Sequence, residues 1–366
     1  MTREKRRVAL IGSGMIATAG HIPAWKNLKD DVEIVAVADL LKERAELIAR
    51  TEGIPHAFGD WEKMLSEQKP DIVSVTTPNV YHCEQTIASL QAGAHVLCEK
   101  PVATSHADAK RMFDAAKAAG RILFVCQSLR FYNAVLAAKE IADAGRLGEI
   151  YFAEGIGLRR RGIPKWGQFH MKVHSGGGPV YDLGVHLLDR IMWIMGFPQV
   201  KSVSGTTFTK LGNRDEGQLT SLEDSGAPLG VLTPRKYDWR EFDVEDMAAG
   251  MVRLANNAII LFKTSWAANV PKSVWTSSFL GTEGGLQLDP LALVGNMGRY
   301  PVDTTPHVPA DRPVVFSGHW LAAEHFIRVL RGDEELIVKP DQVLTIMRIL
   351  DAIYASAESG KEIALG

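Results

Sequence analysis

Val8-Ala9-Leu10-Ile11-Gly12-Ser13-Gly14-Met15-Ile16-Ala17 begins with four apolar residues and runs directly into two glycines one residue apart. The apolar run reads as a short buried strand, and a helix follows it through Trp25. Strand, glycine turn and helix in this order form the cradle of a dinucleotide pyrophosphate. Gly12 permits the tight turn, Gly14 lets phosphate approach the backbone, and Ala17, in place of a third glycine, lets the helix pack on the sheet. The free amides that open the helix, at Met15 and Ile16, and its positive dipole end suit an anion.

The flanking sequence extends the same pattern. A second apolar run, Val32 to Ala38, ends in Asp39, whose carboxylate can accept hydrogen bonds from ribose hydroxyls. Asp39 favours NAD over NADP, because a 2′-phosphate would meet a negative charge, while the nearby Lys42 and Arg44 keep NADP as the alternative. Helices are expected around Lys42 to Thr51 and Trp61 to Ser66, then a strand from Asp71 to Thr76. This β-α-β rhythm implies a parallel sheet. Open α/β sheets bind ligands at the carboxyl ends of their strands, which points to Thr77, Asn79 and His82 as cofactor neighbours.

A helix from Tyr81 to Ala92 leads to the strand Ala94 to Cys98, which ends in Glu99-Lys100-Pro101, and a further strand runs from Ile122 to Cys126. With these elements in place the chain resembles the glucose-fructose oxidoreductase/inositol dehydrogenase/rhizopine catabolism (Gfo/Idh/MocA) family. There a glycine motif, a Thr-Pro-Asn-like loop and a Glu-Lys-Pro turn recur in this order. The resemblance implies an N-terminal Rossmann domain, here residues 1–126, and a C-terminal α+β domain, residues 127–366, for substrate binding and oligomerisation. It places Lys100 beside nicotinamide and the substrate hydroxyl, with Glu99 holding the lysine or cofactor. Gln127-Ser128-Leu129-Arg130-Phe131 resembles the family's crossover, making Gln127 and Arg130 cofactor neighbours.

In the second half, Val135 to Ala144 reads as an amphipathic helix and Ile150 to Gly157 as the first strand of another sheet. The basic loop Arg159 to Gly167 carries Trp166, which can help hold pyrophosphate or a polyol. Ser175-Gly176-Gly177-Gly178-Pro179 reads as a flexible segment before a helix on which Asp182, His186 and Arg190 would share one face. The family's Asp-x-x-x-His signature falls on Asp182 and His186. His170 and His174, with that pair, form the weaker alternative of a metal site, and the favoured reading has no metal. Strands are expected at Val200 to Thr209, Met247 to Leu254, Ala258 to Ser265, Val274 to Gly281 and Gly285 to Leu288, giving a large, mainly antiparallel open sheet. The polar stretch Lys210 to Val244 reads as a lid, an oligomer contact or a disordered loop. Gly295 to Pro313 reads as loop, and helices close the chain around Trp320 to Leu330 and Asp341 to Ser359, with the possibility of packing back on the first domain. His319 and His325 read as structural or surface residues.

Composition narrows the function further. At 366 residues the chain exceeds one ordinary core, and its net charge of −2 argues against a nucleic-acid partner. Cys83, Cys98 and Cys126 lack Cys-x-x-Cys spacing, which suits reduced thiols and a cytoplasmic protein. No run approaches the roughly 20 apolar residues of a membrane span. The expectation is an NAD-dependent dehydrogenase acting on a secondary alcohol of a sugar, glycoside or cyclic polyol, assembled as a homo-oligomer, a dimer, a tetramer or larger. Lys100, Asp182 and His186 would surround the reacting hydroxyl, with either His186 or Lys100 as base. The alternatives are a redox-neutral, NAD-dependent glycoside hydrolase and a non-catalytic NAD-binding sensor or assembly subunit.

Overall fold

A computed structural model describes residues 4–214, 231 and 235–365. They fall into two compact units: the first is drawn from Met1–Ser128, Ala227–Lys236 and Arg312–Leu344, the second from Leu129–Gly226, Tyr237–Asp311 and Thr345–Gly366.

In the first unit, strands β1 (Arg6–Ile11), β2 (Val32–Ala38), β3 (His56–Phe58), β4 (Ile72–Val75), β5 (His95–Cys98) and β6 (Leu123–Val125) form one sheet in the order β3-β2-β1-β4-β5-β6. All five pairings are parallel. A parallel sheet is covered on both faces, so its strands are continuous apolar runs. Val8, Ala9, Leu10, Val73, Val96 and Phe124 accordingly have little or no exposed surface. The strand order reverses between β1 and β4, the switch point where such sheets bind ligands.

Helices α1 (Ile22–Asn27), α2 (Lys42–Glu52), α3 (Trp61–Gln68), α4 (His82–Gln91) and α5 (His106–Ala119) connect the strands. Asp60 caps α3 by accepting the amides of Glu62 and Lys63, and Ser105 caps α5 by accepting that of Asp108. The expected single helix after Gly14 is divided: Ala17–His21 forms a π-helical turn before α1.

The second unit starts with α6 (Asn133–Asp143), β7 (Ile150–Leu158), the one-turn α7 (Lys172–Ser175) and α8 (Val185–Ile194). Its strands continue as β8 (Val200–Phe208), β9 (Met247–Leu254), β10 (Ile259–Ser265), β11 (Val274–Gly281), β12 (Gly285–Leu288), β13 (Ala292–Met297), β14 (Tyr300–Thr304) and β15 (Ile363–Ala364). The nine strands run β14-β13-β12-β11-β7-β10-β9-β8-β15, antiparallel except for β7 with β10. This is the mainly antiparallel sheet expected from the alternating strands. Helix α8 packs on β7, where Gly155 leaves space for Ile191 and Leu187.

One expectation is corrected. Gly295 to Pro313 is not all loop, since β13 and β14 pair as a hairpin with Met297 opposite Tyr300. The stretch Lys210 to Val244 lies partly outside the described residues, and its described ends are anchored. Asp246 Oδ2 accepts the amides of Lys210, Leu211 and Gly212, while Phe242 and Val244 join a core with Ile163, Leu183 and Trp266.

The final helices are α9 (Ser317–Arg331) and α10 (Pro340–Ser359). Helix α9 lies against α1 in the first unit, and its Phe326 stacks on Phe124 at 5.4 Å. No helix among the described residues is long and apolar enough to cross a membrane.

Candidate active site

The carboxyl ends of β1, β2, β4, β5 and β6 bring most of the expected cofactor residues together. Gly12 has a φ of +97°, and a β-carbon there would stand 2.8 Å from the Thr76 carbonyl, so backbone geometry and space both require glycine. A β-carbon at Gly14 would meet no atom within 4 Å, which leaves that side of the turn open to a phosphate. Met15 and Ile16 follow in the same turn. Asp39, just past β2, accepts the Ser13 amide at 3.0 Å and the Ser13 hydroxyl at 2.7 Å with Oδ2, and the Leu41 amide at 2.9 Å with Oδ1. The carboxylate is therefore locked to the glycine turn and retains lone pairs for ribose hydroxyls. Gln127 is buried just past β6, and its Oε1 has no partner among the described residues. These residues fit a dinucleotide, for which Gly14 would hold the phosphates and Asp39 the ribose.

His82 takes a different place from the one expected. It is buried, with Nδ1 2.8 Å from the Pro101 carbonyl and Nε2 2.9 Å from the Thr77 carbonyl. Its ring thus lies between the Pro101 and Thr77 carbonyls, and in the neutral form its single N–H donates to one of them at a time. Burial pushes its pKa below the usual histidine value, against the pull of both carbonyls. Thr77 donates its hydroxyl to Gln85 Oε1 at 2.5 Å.

Glu99 also faces inward. Its Oε1 lies 2.9 Å from His21 Nε2 and 3.1 Å from His319 Nε2, while Oε2 accepts the Lys100 amide at 3.2 Å. Burial alone would raise the pKa of this carboxyl, yet the two imidazoles hold it well below the usual carboxylate range. Glu99 therefore supports the turn through the Lys100 amide, with its other oxygen committed to the two imidazoles. Lys100 itself is half-buried, and its peptide bond to Pro101 is cis. His319, expected as a structural or surface residue, and His21, which carries no expected role, are thus the partners of the Glu99 carboxylate. His21 closes the π turn after the glycine motif and His319 lies on α9, positions whose approach to Glu99 no local pattern in the sequence shows.

In the second unit, Asp182 lies in a π-helical turn, Val180–Gly184, directly before α8. Such turns insert an extra residue into the helical ladder and occur at functional sites. The carboxylate of Asp182 accepts Trp266 Nε1–H at 2.8 Å and lies 3.8 Å from Arg159 Nη1. His186 occupies the first turn of α8 and is half-buried.

The glycine run ahead of Asp182 is not a flexible hinge. A β-carbon at Gly177 would meet the Tyr354 hydroxyl, and one at Gly178 would meet the Glu245 carbonyl, both at 2.1 Å. Glu245 is buried and accepts the Gly178 and Val180 amides at 3.0 Å and the Tyr354 hydroxyl at 2.9 Å. Burial raises its pKa, and these donors work against the shift. Glu245 thus fixes the backbone that carries Asp182, a role absent from the sequence reading.

Other expected site residues have structural partners. Arg130 is fully buried, bonded through Nε and Nη2 to Asp189 at 2.8 and 2.6 Å, with Trp193 and Phe197 on its faces. We therefore assign it to the framework of the second unit and not to the cofactor. Arg190 does not extend a polar stripe from His186 to the site, since it bonds Ser277 and Asp289 over the Trp275 ring. Trp166 stands edge-on to Phe169, with ring centroids 4.9 Å apart. His170 is fully buried beside Tyr237, whereas His174 approaches Gln168, so the His-x-x-x-His pair serves two separate environments.

A parallel Rossmann sheet with this glycine turn, followed by an α/β unit with a large mixed sheet, defines an NAD(P)-binding oxidoreductase. Residues 6–127 match the family model described as "Oxidoreductase family, NAD-binding Rossmann fold", and residues 139–365 match the "Oxidoreductase family, C-terminal alpha/beta domain". The chain belongs to the Gfo/Idh/MocA oxidoreductase family. It is 34% identical over 367 residues to D-glucoside 3-dehydrogenase of Escherichia coli, covering 100% of this chain and 99% of that protein. It is 26% identical over 358 residues to D-xylose 1-dehydrogenase (NADP(+)) 2 of Haloferax volcanii, covering 97% and 98% of the two chains. The fold matches levoglucosan dehydrogenase in complex with NADH with a TM-score of 0.83 at 23% identity, covering 99% of this chain and 100% of that one.

Proposed function

We propose that this protein is an NAD-dependent dehydrogenase that oxidises a ring secondary alcohol of a sugar or glycoside, with the C3 alcohol of a D-glucoside as the first substrate to test. The observation that carries the reading is the Glu99-Lys100-Pro101 turn. It is held at the carboxyl end of β5 by Glu99 and by His82, whose ring lies between the Pro101 and Thr77 carbonyls, so an amine stands at the ligand-binding edge of a dinucleotide fold. The substrate class is supported by end-to-end similarity to a D-glucoside 3-dehydrogenase. NAD is favoured over NADP because the Asp39 carboxylate would face a 2′-phosphate.

Bound NAD supplies the hydride acceptor, so the alcohol carbon loses a hydride and its oxygen a proton. In this reading His186 accepts the hydroxyl proton and Lys100 donates a hydrogen bond to the developing alkoxide. Asp182, held by Trp266, orients the substrate hydroxyl or the His186 ring. The three free cysteines support a cytoplasmic protein. Exposed Val294, Met297 and Tyr300 on the β13–β14 hairpin support a homo-oligomer.

The test is reduction of NAD and of NADP against a panel of sugars, inositols and glycosides, with products identified by mass and NMR. A 3-keto glycoside formed with stoichiometric NADH is expected. A lactone would move the reaction to the anomeric carbon. Aglycone release without net NADH would replace this reading with redox-neutral hydrolysis.

A further inference from the structure

Glu99 is buried between two histidines that the reaction described above does not use. One, His21, ends the π-helical turn after the glycine motif; the other, His319, comes from α9, 220 residues along the chain from Glu99. Four potential ligand atoms, from His21, Glu99, Cys126 and His319, lie within 4.8 Å of one another in fully buried surroundings.

The surrounding hydrogen bonds settle where the imidazole protons lie. Trp25 Nε1 is only a donor and gives its proton to Ser74 Oγ at 2.8 Å. The Ser74 hydroxyl proton is then available to His21 Nδ1 at 3.2 Å, so His21 carries its own proton on Nε2 and donates to Glu99. His319 Nδ1 is buried with no partner among the described residues. A proton there would be an unsatisfied buried donor, so it resides on Nε2, which faces the same Glu99 oxygen. Both rings thus point N–H groups where a metal would need lone pairs, and the cluster is arranged as a hydrogen-bond clamp on an ionised carboxylate. The other oxygen of that carboxylate takes the Lys100 amide.

We propose that His319, together with His21, is a positioning residue for Lys100: the two histidines clamp Glu99, and Glu99 fixes the backbone from which the lysine side chain departs. The inference rests on the catalytic reading of Lys100. Its physical basis is that a displacement of about 1 Å at a reacting group can cost about 100-fold in rate. The titratable groups facing the clamp are His21 from the π turn, His319 from α9, Cys126 past β6, Lys100 in the turn, Cys98 on β5 and His82 on α4.

The experiment compares His319→Gln, His319→Asn and His319→Ala in the full-length protein, measuring kcat, KM, NADH affinity, the pH profile of kcat and metal content. A Gln amide nitrogen can stand where Nε2 stands, and an Asn amide falls short of it. Asn and Ala are expected to lower kcat about 10- to 100-fold, with KM and NADH affinity little changed, and Gln to recover much of the loss. The acid limb of kcat should move to higher pH in Asn and Ala, because Glu99 loses a donor that favours its anion. An unmoved limb and kcat in His319→Asn would overturn the proposal, as would a stoichiometric transition metal in the purified protein. If His319→Ala does not fold, the Gln–Asn pair carries the comparison. Lys100→Ala separates the two readings: retained turnover removes the catalytic role of Lys100, whereas lost turnover beside an unaffected His319→Asn removes only the clamp.

Discussion

Trp266 Nε1–H donates to Asp182 Oδ2 at 2.8 Å, and the indole that makes this bond is fully buried at the end of β10. A carboxylate carried on a π-helical turn is thereby held by a rigid ring from the sheet. Trp266→Phe keeps much of the apolar surface and removes the donor. A loss of about 1–3 kcal/mol is expected in urea unfolding, as for a polar group deprived of its partner. The larger effect should be a drop of about tenfold or more in kcat, toward the size of a general acid–base contribution. Unaltered kcat beside lowered stability would detach Asp182 from the chemistry.

The Arg130–Asp189 pair makes the opposite prediction. Both partners are buried, and the guanidinium is also sandwiched by two aromatic rings. Asp189→Ala leaves a buried cation without its counterion and should cost about 3–5 kcal/mol of stability, with NADH affinity unchanged. An Arg130→Met/Asp189→Leu double variant should recover most of that stability. Weakened NADH binding in the folded double variant would return Arg130 to the cofactor site.

His95 opens β5 with its Nδ1 accepting the Ile122 amide at 3.1 Å, a bond available only to the unprotonated nitrogen. Partial burial, then the nearby Arg121 and Arg6, push its pKa down from 6.5 to about 4. Between those two values the unfolded chain binds more protons than the folded one, so stability rises with pH through this window and is lost as pH falls through it. His95→Gln keeps an acceptor and cannot titrate. Its melting temperature should fall less steeply than that of the parent protein as pH drops from 6.5 toward 4; parallel curves would contradict the assignment.

Much of this was legible in the chain because it depends on short-range patterns. Gly12, Asp39, Thr77 and Lys100 each follow an apolar strand, and their place at the carboxyl edge follows from parallel strand order. Hairpin β13–β14 was obscured because Pro301 and two glycines break the strand signal. Proline is tolerated there because β14 is an edge strand. The Asp182–His186 spacing suggested a regular helix, which the π turn interrupts. Gly177 and Gly178 suggested flexibility where Tyr354 and Glu245 in fact demand close approach. The His319 contact was hidden for a different reason: it joins residues 220 positions apart, and a histidine on an apolar helix gives no sign of what it reaches.

The central claim is that Lys100 acts on the substrate hydroxyl. The direct measurement is single-turnover hydride transfer by Lys100→Ala, with NAD and the glycoside identified in the panel, alongside NADH affinity of the same variant. The account predicts a loss of about 100- to 10,000-fold in the transfer rate with NADH affinity within about threefold of the parent. Hydride transfer at the parental rate, with NADH still bound, would contradict it.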